Sequence, residues 1–561
     1  MRRLRFYQYE ARVNLNYLSM IIDNISRSKI VLYGVLAFIC LISTILRFQV
    51  VDIPLERDEG EYAYIAQRWL GGAIPYQDTF DQKPPAIFAV YAIIFRTLGT
   101  SIAAIHWGAH VYVLLTMISI FLLSKLLFNQ RVGIIATLFS GILLIDPSLL
   151  ANAANTELFM ILPLVVSLLA TLIAIKKDQV GWSFVAGIFG ALALLFKQVA
   201  LPNVIFTIAL LLTNSKNKWA HLLVALAALF GSLICVASYF FVCGAGHSFY
   251  DCVVAHNLSY ASRVRPLDYP IRFLASALHI FYSIWPICLM SIIGLFARGQ
   301  QVIAIDKPNW HKSHSIICLW FLVSLVGVSI SGLFRLHYFI QLVPALAILS
   351  ALGVVTLSEL IPFRLNRSVL QAGITLVVIS YTLVVNAWYY SSGSPLDKSK
   401  HLYGINPFAE SPEIGQYLQK NSSPNDRVFI FGSEPQIFFY ANRLSMDRYI
   451  FCYPLLTPFH DSIKRQHEVI EELQKQEPRL IITVFIEPSL YTSPETPREI
   501  FGALQKRLAA DYRLIALLPN NNKKCASLIS NEAALEVYDN NRWWYQSGDP
   551  PFALAIWKRL Q

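Results

Sequence analysis

The sequence predicts a polytopic α-helical membrane protein with about eleven transmembrane helices and a small C-terminal α/β domain. Composition and its unevenness carry this reading. Of 561 residues, 55% are hydrophobic and only 14% charged, against roughly a quarter charged in soluble domains. Mean hydropathy is +0.49. Long apolar runs fill residues 30–390, whereas 400–561 has the make-up of ordinary soluble protein.

A membrane helix needs about 20 largely apolar residues. Runs at or near that length centre on 30–47, 105–124, 132–146, 158–175, 180–196, 199–213, 219–242, 272–296, 315–333, 338–357 and 369–389. Backbone groups in hydrocarbon must bond internally, so each run reads as a helix. The stretch 1–29 is basic, with Arg2, Arg3, Arg5 and Arg12. The apolar run behind it lacks a small-residue cleavage site and reads as a retained first span. Residues 86–98 are apolar but short, which suits a re-entrant or interfacial segment.

Basic residues mark the cytoplasmic ends of spans. With a cytoplasmic N-terminus, alternate loops hold Lys125 and Arg131, Lys176 and Lys177, Lys216 and Lys218, Arg298, Lys307 and Lys312, and Arg364 and Arg367. The outer side then receives the long first loop, 48–104, a short loop near Glu157, a loop at 244–270, and the C-terminal region. The expected division is a cytoplasmic 1–29, a membrane domain 30–395, and a periplasmic or extracellular α/β domain 396–561. This placement also accounts for the net charge of +11, since the cations follow helix ends and not a nucleic-acid face. Cys40, Cys235, Cys288 and Cys318 sit in apolar runs and read as packing residues. Cys452 and Cys525 fall in the soluble region and could pair on an oxidising side.

Beyond Pro412 the pattern alternates. Residues 413–420 read as helix, 427–432 as a buried strand ending in a turn, 463–475 as helix, 479–485 as strand and 497–508 as helix. Gly432 follows a strand, but no G-x-G-x-x-G accompanies it, so no nucleotide site is implied.

The outer face holds the unusual chemistry. Asp58, Glu59 and Glu61 cluster in a loop too long for a plain connector. They read either as a functional site or as solvated, helix-capping acids. Lys83-Pro84-Pro85 is more specific, because two prolines remove two donors and hold Lys83 extended. That lysine is either a point charge for a phosphate headgroup or an interfacial side chain reaching for water. Asn152, Asn155 and Glu157, then Lys197 and Gln198, then Arg335, His337, Tyr338 and Gln341, sit at other outer helix ends. Singly each suits a helix-end anchor; together they place carboxylates, cations and hydrogen-bonding groups on one membrane face.

These residues resemble a family. Arg57-Asp58-Glu59-x-x-Tyr62 after the first span and Lys83-Pro84-Pro85 before the second are similar to C-type, membrane-embedded glycosyltransferases. The nearest likeness is to bacterial relatives of protein O-mannosyltransferases and of the lipid A aminoarabinose transferase. Glu157 and Arg335-x-His337-Tyr338-Phe339-x-x-x-x-Pro344 support the resemblance, which covers roughly 30–360. It implies a polyprenyl-phosphate-sugar donor and an acceptor hydroxyl on a glycan, lipid or protein. Asp58 would be the catalytic base, with Glu59 beside it. Lys83, Arg335, His337, Tyr338 and Lys197 would hold the donor phosphate. Arg57, Glu61, Tyr62, Glu157 and Asn155 would handle the acceptor or a proton network. No cofactor is demanded, although some relatives place a divalent ion near these acids. Asn155-Thr156-Glu157 departs from the acidic pair or Arg-x-Asp common there. The implied location is the plasma (inner) membrane, and the C-terminal domain is expected to recognise the acceptor separately from donor binding.

Two other classes remain. A secondary transporter would bury ionisable groups near the midplane and show two related halves, and no internal repeat is visible here. A non-catalytic membrane assembly protein is the second.

Overall fold

A computed structural model describes residues 29–261, 264–297, 310–362, 366–521, 525–541 and 551–560. The basic N-terminal stretch, Arg298, Lys307 and Arg364 lie outside the described residues. Among the described residues, thirteen helices of 13 residues or more carry the first two thirds of the chain: α1 (Lys29–Phe48), α2 (Arg57–Leu70), α3 (Ala86–Leu98), α4 (Ile102–Leu127), α5 (Gln130–Leu143), α6 (Thr156–Lys177), α7 (Val180–Phe196), α8 (Leu201–Asn214), α9 (Lys218–Val242), α10 (Tyr269–Leu295), α11 (Trp310–Ser329), α12 (Val343–Leu360) and α13 (Arg367–Val385).

Among the described residues, eight helices are long and apolar enough to cross a membrane. The other three expected spans fall on α5, α7 and α8, which are apolar but shorter. A 14-residue helix such as α5 rises only about 21 Å, less than the ~30 Å of a hydrocarbon core. The short segment 86–98 is the 13-residue α3.

The bundle is organised around α12. Its span, Leu336–Leu360, is 89% buried, against 17% for Lys29–Phe48. Its partner is α10, and small residues let the two backbones touch, as is common between membrane helices. A β-carbon at Gly294 would run into the Leu349 carbonyl, and one at Gly353 into the Met290 carbonyl. Ser350 Oγ donates across the same seam to the Ile287 carbonyl at 2.9 Å. Pro286 lacks a donor, and α10 kinks beside it at Ile284, where φ is −123°.

The C-terminal region starts with α14 (Pro395–Tyr403) and α15 (Ser411–Asn421). It continues through β1 (Arg427–Phe431), α16 (Pro435–Ala441), β2 (Leu444–Ser445), α17 (Ser462–Gln476), β3 (Leu480–Val484), α18 (Glu499–Asp511), β4 (Tyr512–Pro519), β5 (Ile529–Ser530), α19 (Glu532–Asn541) and β6 (Phe552–Arg559). The six strands form one sheet, ordered β2-β1-β3-β6-β4-β5. β2, β1 and β3 are parallel. β6 runs antiparallel between β3 and β4. The helices and strands expected up to residue 508 are present; the antiparallel half beyond was not anticipated. Cys452 and Cys525 are both free, so the pairing considered for them does not occur.

This region is not an independent lobe, because one hydrophobic core runs through it and the membrane bundle. The join is α2, which lies against α16. A β-carbon at Gly60 would collide with the backbone and Cβ of Gln436. Hydrogen bonds stitch the seam on both sides: Leu55 N–H to Tyr440 Oη at 2.9 Å, and Ser445 N–H to Tyr64 Oη at 2.8 Å.

Gly60→Ala should therefore loosen this seam. Overpacking costs about 1–3 kcal/mol, against about 1 kcal/mol gained in helix propensity. Thermal unfolding in detergent should fall for Gly60→Ala and not for Gly34→Ala, where the added carbon meets nothing within 4 Å. Equal melting of both variants would contradict the seam.

Candidate active site

Helical periodicity sorts the acidic cluster. Glu56 caps α2 in a capping box with Glu59, and the early acids suit the positive end of the helix dipole. Successive residues on a helix point about 100° apart, whereas i, i+3 and i+4 share a face. Asp58 and Glu61 accordingly line one cavity of ≈310 Å³ together with Arg57, Lys83, Lys197, Arg335, His337, Tyr338 and Asn155.

Glu59 points elsewhere, which corrects its expected place beside Asp58. It is 1% exposed. It accepts from His106 Nε2 at 2.9 Å, Ala154 N–H at 2.7 Å and Glu56 N–H at 3.2 Å. Glu59 thus pins α2 to α4 and to the loop before α6. Arg47, at the end of α1, clamps that same loop through the carbonyls of Asn152, Leu144 and Ala151. Tyr62 is also fully buried; its ring centroid lies 5.2 Å from Lys83 Nζ, behind the cavity wall.

Lys83 is held from three sides. Its N–H donates to Asp81 Oδ1 at 2.8 Å, its carbonyl accepts from Tyr76 Oη at 2.8 Å, and Pro85 caps α3. Nζ lies 3.7 Å from Asp58 Oδ2. Burial alone would raise the Asp58 carboxyl, but Lys83, and behind it His337 and Lys197, hold it down at about 2. Burial would lower Lys83, yet Asp58 and its acidic neighbours keep it well above the ordinary lysine range. The pair is a fixed carboxylate against a fixed ammonium.

Beside it sits a second acidic pair. Burial and Asp81 push Glu61 well above the usual carboxylate range. Burial, offset in part by Lys83, brings Asp81 to about 6. Two buried carboxyls facing each other cannot both ionise, so they share a proton.

The opposite wall comes from the ends of α6, α7 and the turn before α12. Lys197 donates to Glu157 Oε1 and stands 3.9 Å over the Tyr338 ring. His337 Nε2 lies 3.9 Å from the same Glu157 oxygen. Glu157 is 1% exposed and acts from behind Lys197. Gln341, another helix-end candidate, is buried and donates to Asn203 Oδ1 at 2.8 Å. Asn155 caps α6, with its buried Oδ1 unpartnered among the described residues.

The remaining walls were not foreseen. Ser433, Tyr453, Tyr491, Tyr403, Asn406 and Phe408 reach the cavity from the C-terminal region. Arg57 joins the two parts: Nη2 donates to Glu434 Oε1 at 2.9 Å and to Asn406 Oδ1 at 3.1 Å, and Nε donates to the Ser433 carbonyl. A signal did exist. Gly432-Ser433-Glu434 follows β1, and ligand sites in open α/β sheets lie past the carboxyl ends of parallel strands. This region therefore walls the same cavity as the membrane helices.

Among the described residues, no group of three or more His, Cys, Asp or Glu could hold a metal ion. Asp58 faces Lys83, and Glu61 and Asp81 face each other, so these residues do not fit a divalent ion.

Comparison with known proteins bears on the fold. Residues 82–240 match the family described as dolichyl-phosphate-mannose-protein mannosyltransferase. ArnT from Cupriavidus metallidurans in the apo state aligns with a TM-score of 0.54 at 14% identity, over 90% of this chain and 99% of that one. The same protein bound to undecaprenyl phosphate gives 0.53 at 14%, over 80% and 93%. An Archaeoglobus fulgidus oligosaccharyltransferase tethered to an acceptor peptide gives 0.51 at 13%, over 94% and 88%. No curated protein matches the sequence. The chain has the fold of the C-type (GT-C) membrane glycosyltransferases.

Two outcomes separate the acids. Glu59→Ala orphans its donors at on the order of 1–3 kcal/mol each, so it should lower the melting temperature further than Asp58→Asn does. Lys83→Met removes the main attraction on Asp58, and its carboxyl band in an infrared titration should move up by more than about one pH unit. An unmoved band would show that Lys83 does not set the Asp58 charge.

Proposed function

We propose that this protein transfers a sugar from a polyprenyl-phosphate-linked donor to an acceptor hydroxyl, with Asp58 as base. The observation that carries the reading is the Asp58–Lys83 pair inside a cavity whose other walls bring Lys197, Arg335 and His337. The GT-C fold and the mannosyltransferase family match support it. ArnT has been captured with undecaprenyl phosphate, which fits the same donor class.

The donor phosphate takes Lys83, with Lys197 and Arg335 as further cations. Lys83 then no longer faces Asp58 alone, and the carboxylate's affinity for a proton rises. The acceptor oxygen attacks the anomeric carbon from the side opposite the phosphate. The new C–O bond forms, the sugar–phosphate bond breaks, and polyprenyl phosphate leaves carrying that electron pair. The hydroxyl proton passes to Asp58. One displacement inverts the anomeric centre. Glu61 and Asp81, with one proton between them, buffer the charge that Asp58 gives up.

Sidedness follows the same reading. Lys125, Lys176, Lys177, Lys216, Lys218, Lys312 and Arg367 lie at helix ends away from those that meet the cavity. The cytoplasmic bias of such residues supports a plasma-membrane protein whose cavity and C-terminal domain face the periplasm or exterior. The gathering of polar groups at helix ends, not at the midplane, disfavours a transporter.

The test is transfer of label from a panel of radiolabelled polyprenyl-phosphate sugars to membrane extracts. Wild type should move label from at least one donor. Asp58→Asn should lose about 10²–10⁴-fold, the usual range for a general base, while still binding the lipid. A folded wild type that moves label from no donor, or an Asp58→Asn protein that matches it, would sink the assignment.

A further inference from the structure

A second, larger cleft of ≈650 Å³ shares the segment 72–83 with the candidate active site. Gly72, Ala73, Gln77 and Asp78 line the cleft, whereas Gln82 and Lys83 line the active site. The facing wall is the edge of the C-terminal sheet, formed by Arg427 and residues 445–449, with Glu468, Glu471 and Glu472 of α17.

Three lining residues of that wall carry buried polar atoms with no partner among the described residues: Ser445 Oγ, Asp447 Oδ2 and Arg448 Nε. Ser445 is only 8% exposed. These atoms are screened from the cleft, but the side chains that carry them line it, and their polar character favours a polar occupant. They comprise a hydroxyl, an acceptor and a donor, and the occupant must both give and accept hydrogen bonds. Burial lifts Asp447 to about 7, so this carboxyl can serve in either sense near neutrality.

The surroundings narrow the class. Asp78, Asp447, Glu468, Glu471 and Glu472 outnumber Arg68, Arg427 and Arg448, which disfavours a polyanion. A peptide strand needs open ladder positions on an edge strand, and β2 has none there. Ser445 N–H donates to Tyr64 Oη at 2.8 Å. The Ser445 carbonyl accepts from Arg427 Nη1 at 3.0 Å, and Met446 N–H donates to the Val428 carbonyl at 2.9 Å.

We propose that this cleft is a saccharide-binding site for the distal sugars of a neutral or amino-bearing glycan, whose ring hydroxyls meet interleaved carboxylates and guanidinium groups. The cleft is also tied to the reacting centre. Arg448 Nη2 donates to the Tyr76 carbonyl at 2.7 Å, and the Tyr76 hydroxyl donates to the Lys83 carbonyl at 2.8 Å. A glycan seated here steadies the segment that aims Lys83. Its identity as part of the acceptor rests on the transferase reading; its binding does not.

The experiment uses the full-length protein in nanodiscs and three probes: a manno-tetraose, a glucosamine tetramer and a tetragalacturonate. Binding is followed by calorimetry and saturation-transfer NMR. The neutral or the amino tetramer should bind and the anionic one should not. Asp447→Asn and Arg68→Ala should each weaken binding about tenfold or more, the cost of one charged hydrogen bond, with melting temperatures unchanged. Arg68 is partly exposed in the last turn of α2, so Arg68→Ala keeps the test open if Asp447→Asn misfolds. Asp58→Asn should bind as wild type does. No saccharide binding at millimolar concentration, binding indifferent to both variants, or preference for the anionic tetramer or for an extended peptide overturns the proposal. The probes carry no lipid donor, so failure here leaves the transfer assay standing, and failure of that assay leaves saccharide binding standing.

Discussion

Everything at the candidate site depends on how α2 is clamped. One face meets α16 so closely that Gly60 has no room for a side chain. A second face is held by Glu59, whose carboxylate collects donors from α4 and the loop before α6. The third face, carrying Asp58 and Glu61, is what remains to line the cavity. Three constraints around one helix leave it no freedom to rotate. Arg57 secures the arrangement, bonding Glu434, Asn406 and Ser433, which lie 377, 349 and 376 residues away in sequence.

The electrostatics have the same interlocked character. Burying a lone charge is costly, and burying a pair is tolerable only when geometry and further hydrogen bonds compensate. Three of the cations here have such compensation: Lys83 with Asp58, Lys197 with Glu157, Arg57 with Glu434. Glu61 and Asp81 avoid the cost by retaining a proton. The cavity is therefore close to neutral while keeping several positive groups that an incoming anion can recruit.

Much of this was legible in the chain. Apolar run length located the helices, because hydrocarbon allows little else, and the Lys-Pro-Pro and Arg-Asp-Glu motifs pointed to residues that do meet in space. Asp58 with Lys83 is the example. Glu59 faces away from Asp58 because the 100° step of a helix separates neighbours that a loop would keep together. The wall residues Ser433, Tyr453 and Tyr491 were invisible because their role arises from docking between distant segments, and no local pattern encodes that. β4 and β6 were missed for a related reason: their pairing is antiparallel and non-local, and the helix α19 interrupts them.

The long sequence separation across the Arg57 clamp has a consequence for biosynthesis. Contacts this remote are made late, after the intervening chain has been inserted and closed around them. A nascent chain that has threaded every membrane segment but has not completed its last third carries Asp58 and Lys83 without the wall that Ser433, Tyr453 and Tyr491 supply. Stalled or clipped products thus leave the cavity open on that side.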